Sequence, residues 1–109
     1  MATMTIGKRK AREIITHELM IKLKSRIMIE ASVDENGADK ILNETLNFLD
    51  YCAENPEGNN IPSKSADIGW HVFILHTADY AEFCNKLAGR FIHHNPYLKN
   101  GHLTCDNPR

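Results

Sequence analysis

No stretch of the 109 residues comes near the ~18–20 consecutive apolar positions that a membrane span needs. The opening MATMTIGKRKAREII holds no apolar signal-peptide core, so a secreted protein is not expected. There is no glycine-rich phosphate loop and no GxSxG elbow, which sets aside the commonest nucleotide-binding and serine-hydrolase chemistries. Cysteine is scarce and odd in number (Cys52, Cys84 and Cys105) and offers no disulfide framework; a reducing, cytoplasmic home fits that pattern. Strand patterning is nearly absent, with only Arg90–His93 able to read as extended, and no repeat or low-complexity tract occurs. Apolar residues at 42% and charged residues at 25% exclude a disordered chain, and the length allows one domain over 1–109.

What is present is helical periodicity. From Lys8 to Ala31, Ile15, Leu19, Leu23 and Ile27 recur at steps of four, with Ile14, Met20 and Met28 widening the stripe. Asp34, Asn36 and Gly37 then mark a turn. A second helix is expected over about 38–54, with Leu42, Thr45, Leu46, Leu49, Cys52 and Ala53 on one face. Residues 55–66, with two prolines, a glycine and three asparagines, form the one real loop. Two short helices follow, about 66–76 and 78–88, bent at His76–Thr77, with Ser65 and Thr77 as caps and Gly89 as the terminator. The expected architecture is all-α, a compact bundle of about four helices, with a loop-rich and loosely ordered tail over 97–109.

Charge is distributed unevenly. Residues 1–29 carry seven Lys/Arg against two Glu, while 30–67 carry nine Asp/Glu against two Lys. A basic helix beside an acidic one that neutralises it is the plain reading. Seven scattered cations without interleaved aromatics make a poor nucleic-acid footprint, so no nucleic-acid partner is expected. Lys8, Arg9, Lys10, Arg12, Lys22, Lys24 and Arg26 could instead dock a protein partner.

The most informative string is WHVFILHTADYAEFCNKLAGR. Its Trp70, His71, Leu75, Tyr80, Cys84, Gly89 and Arg90, preceded by Asp67, resemble the core signature of the glycine-rich-domain-like family. The resemblance spans about residues 62–96. Phe73 stands where many members have a second histidine, so a histidine pair is not implied, and the resemblance implies no particular mechanism.

The chemistry of these residues suggests a metal site. Asp67 and His71 are four apart on a helix and share a face, and a carboxylate on one imidazole nitrogen frees the other as a ligand. Five of the six histidines lie after position 70. If the bend folds the two short helices together, His71, Cys84, His93 and His94 could surround zinc, iron or copper, with Asp67, Trp70 and Tyr80 behind them. A Cys84–His nucleophile pair lacks a recognisable oxyanion hole and ranks lower. The same residues also fit plain packing, since IGWHVFIL reads as a buried helix. Two functions are therefore carried forward: a small cytoplasmic metal-binding protein, or a non-catalytic adaptor or inhibitor binding a protein or nucleic-acid partner through its charged N-terminal helices.

Overall fold

The computed structural model describes residues 10–56, 60–99 and 102–105. The first apolar stripe does not run as one helix. Thr16 accepts a hydrogen bond from the Leu19 amide (3.1 Å) and starts a new helix, so α1 (Ala11–Ile14) is cut from α2 (His17–Ala31). A good N-cap here outweighs the continuity of the stripe. Ser32, in the left-handed region, closes α2.

Helix α3 (Glu35–Glu54) begins earlier than its apolar pattern suggests, because Asp34 caps the Gly37 amide at 2.9 Å and draws Asn36 and Gly37 into the first turn. Helix α4 (Lys64–Leu75) is capped by Ser63 on the Ala66 amide (3.0 Å), two residues before the expected Ser65. After the bend, α5 (Thr77–Ala88) follows a cap position held by His76, not Thr77. The His76 ring turns back to the Val72 carbonyl at 3.0 Å. Gly89, at φ 72°, ends α5 as expected.

The fold is all-α over residues 11–88 and forms a compact bundle; the expected four helices become five among the described residues. One core unites the elements: Leu19, Leu23 and Ile27 of α2, Leu42, Leu46, Leu49 and Cys52 of α3, Trp70, Val72 and Phe73 of α4, and Tyr80, Phe83 and Cys84 of α5. Helices α3 and α4 come close together at Gly69, where an added Cβ would lie 1.9 Å from Thr45 Oγ1. That contact admits no side chain and brings Trp70 inward. Two pairs join the basic and acidic segments as the plain reading expects, Lys24 with Asp39 at 2.8 Å and Lys10 with Glu54 at 3.6 Å, while Lys22 bonds Asp79 of the later helix at 3.0 Å.

Past the bundle the structure departs from the expected loop-rich tail. Strands β1 (His94–Lys99) and β2 (His102–Cys105) pair antiparallel, His94 opposite Cys105 and Lys99 opposite His102. The register slips between Asn95 and Leu98, where Pro96 supplies no amide for the ladder. Residues 100, 101 and 106–109 of that tail lie outside the described residues.

Candidate functional site

The site grows from a buried polar chain. Trp70 and Tyr80 are both fully buried, so their polar atoms need partners inside the protein. Trp70 Nε1–H donates to the Tyr80 hydroxyl at 2.8 Å, and that hydroxyl donates to the Ile92 carbonyl. Helices α4 and α5 are thereby joined to the segment leading into β1. Burial first, then the neighbouring Cys84, pushes the Tyr80 phenol above its ordinary value, so it stays a neutral donor.

Two residues past Ile92, His94 lies over the Trp70 ring with centroids 4.2 Å apart. Its Nε2 is 2.8 Å from Asp67 Oδ1. A carboxylate only accepts, so Nε2 carries the hydrogen and, in the neutral ring, Nδ1 is left as an acceptor. The imidazole is fixed twice, by its tilted contact (52°) with the buried indole and by the carboxylate.

Asp67 and His94 form one end of a half-open cleft of about 240 Å³ between α2 and α4, with Glu30, Ile68, His71 and Val72 completing its lining. Ile68 and Val72 are apolar, while the polar contributors are two carboxylates and two imidazoles. Among the described residues no lysine or arginine lines it. Arg26 ion-pairs Glu30 at 2.8 Å from outside that lining.

The expected metal ligands are not gathered. Asp67 binds His94 from the hairpin and not His71, its neighbour one turn along α4; the i,i+4 spacing permits that contact but does not impose it. His71 is exposed on the cleft. Cys84 faces the core beside Tyr80, because the apolar face of α5 is the one it occupies. His93 and His94 diverge, as consecutive side chains do in extended backbone: His94 turns onto Trp70, and His93 is exposed against the Phe91 ring at 4.8 Å. Among the described residues no group of three or more His, Cys, Asp and Glu is placed to hold a metal. Trp70 reaches the cleft only through the His94 ring, and Tyr80 lies behind Trp70; neither lines it.

Sequence reasoning missed Glu30, Ile68, Val72 and the Ile92 carbonyl. The cleft faces of α4 could be read from its periodicity. Glu30 comes from another helix, and no spacing in the chain marks it.

Fold and site together define a small helical bundle with a hairpin-clasped cleft of histidines and carboxylates. The chain belongs to the UCP032817-like family, whose model matches residues 9–105. That match corrects the resemblance to the glycine-rich-domain-like family: the shared spacing from Trp70 to Arg90 covers a short helical stretch, and the family assignment rests on nearly the whole chain. No curated protein and no solved structure matches it.

Proposed function

We propose that this is a small-molecule-binding protein whose ligand is a small organic cation, an amine or guanidine with a short apolar stem, held in the cleft between α2 and α4. The observation that carries this reading is the lining itself: Asp67 for the charge, beside a Glu30 that is shared with Arg26, His71 and His94 for hydrogen bonds, and Ile68 and Val72 for the stem. Its volume of about 240 Å³ is below the ~300–1,000 Å³ of drug-sized pockets, which suits a ligand of few heavy atoms. The double hold on His94 supports it, because a group already fixed in place loses little freedom on binding. We place this protein in the cytoplasm on its odd number of three cysteines; among the described residues no helix is long and apolar enough to cross a membrane.

The test is amide NMR with agmatine and, separately, sulfate. Agmatine is expected to shift the resonances of Ile68, His71, Val72 and His94, and sulfate to leave them in place. Shifts spread over the whole surface, or equal responses to the two ions, would refute the reading. A metal is the second reading for the same cleft, favoured by the Asp67–His94 pair, since metal-bound imidazoles are held by a carboxylate in this way. Stoichiometric zinc in untagged protein, lost in His94→Ala, would decide for it.

A further inference from the structure

The two carboxylates of the cleft between α2 and α4 are held differently. Asp67 lies in the first turn of α4, where the helix dipole favours a negative charge, and His94 bonds it at 2.8 Å. Glu30 lies in the last turn of α2, where the dipole favours a cation, and that turn contains no basic residue. Its counter-ion comes from one turn earlier: Arg26 Nε bonds Glu30 Oε2 at 2.8 Å.

That pair is weakly held. The base precedes the acid at i,i+4, the less stabilising order on a helix, and the Arg26 side chain is half-exposed, so solvent screens the contact. Glu30 lines the cleft and Arg26 does not. A cation inside the cleft and Arg26 outside its lining therefore compete for one carboxylate. Asp67 has no such competitor, since among the described residues its partner is an imidazole and not a lysine or arginine.

We propose that Arg26 is a specificity-determining residue of this cleft and that the ligand it selects is a dication, a diamine or guanidino-amine with one charge at Asp67 and the other at Glu30. The inference rests on the cation-binding reading above and narrows it. A monocation is held at Asp67 and finds Glu30 already balanced. A dication brings its second charge to Glu30, where the C-terminal end of α2 adds to the attraction, and Arg26 has solvent to turn into. Ile68 and Val72 line the cleft for the stem between the two charges.

Isothermal titration calorimetry of the full chain with agmatine and with butylguanidine tests this, because butylguanidine keeps the guanidinium and the stem but lacks the ammonium. Agmatine is expected to bind roughly two- to fivefold tighter, the range of one exposed ion pair. Glu30→Gln is expected to bring agmatine down to the affinity of butylguanidine. Arg26→Gln removes the competitor and is expected to widen the ratio, and Arg26→Lys, which returns a charge to the position, to restore it. Equal affinities in the native protein, or a ratio that neither Glu30→Gln nor Arg26→Gln moves, would overturn the inference while butylguanidine binding upheld the cation cleft itself. Binding of neither compound would overturn both.

Discussion

Tyr80→Phe removes one oxygen and leaves two buried groups without partners. The Trp70 indole N–H loses its acceptor and the Ile92 carbonyl loses its donor, and all three residues are 0% exposed. Each orphaned group costs roughly 1–3 kcal/mol, so the expected loss is about 2–6 kcal/mol. Ring packing does not offset it, because Phe keeps the edge contacts of Tyr80 with Phe73 and Phe91, at 5.1 and 5.2 Å. Equilibrium urea unfolding followed by circular dichroism measures the change. Tyr51→Phe, at a tyrosine 53% exposed, is the control and is expected to stay within about ±0.5 kcal/mol. Because Ile92 is two residues from His94, the variant is also expected to alter the emission of Trp70, the one tryptophan of the chain. A loss under about 1 kcal/mol, or one equal to that of Tyr51→Phe, would mean that water or a shifted backbone satisfies these groups, and the clasp of the hairpin onto the bundle would not rest on Tyr80.

Gly69→Ala is expected to cost roughly 1–3 kcal/mol, since the new methyl meets Thr45 Oγ1 at 1.9 Å and Ile41 Cγ2 at 3.1 Å and the two helices must part. Adding Thr45→Ala is expected to recover part of that loss in the same unfolding assay; full independence of the two changes would refute the close crossing. Alkaline stability should report Tyr80: its phenol is raised in the folded state, so its contribution is complete below about pH 10 and declines above it, where the unfolded chain releases the proton first. Urea titrations at rising pH are expected to show that decline in the native protein and a shallower one in Tyr80→Phe.

Helix faces were legible in the chain because burial follows period: Leu23, Ile27, Leu46, Leu49 and Cys52 are buried where their spacing puts them. Boundaries followed local chemistry that a long stripe conceals, and Thr16 divides α1 from α2 on the strength of one cap. Met28 belongs to the expected apolar stripe, yet the outer face of α2 leaves it exposed, with Ile29 beside it. The hairpin was not legible, since Pro96 interrupts any alternation between Asn95 and Leu98. The site was half legible. Asp67, Trp70, Tyr80 and His94 do come together, but the decisive pairing links Asp67 to a histidine 27 residues away, and a local rule can only propose the neighbour four residues on. Cys84 shows the limit of residue type as a guide: a thiol on an apolar helix face is placed by packing before it is placed by chemistry.

The central claim is that Asp67 and its cleft hold a small organic cation, and an agmatine titration followed by Trp70 fluorescence tests it most directly, since His94 bridges the cleft to that indole. Saturable quenching or shift is expected in the native protein, weakened about 10–100-fold in Asp67→Asn, as the loss of a hydrogen bond to a charged group implies. Ile29→Glu, which alters only the outer face of α2, is expected to bind as the native protein does. No saturable response, or one of equal strength in Asp67→Asn, would contradict the account.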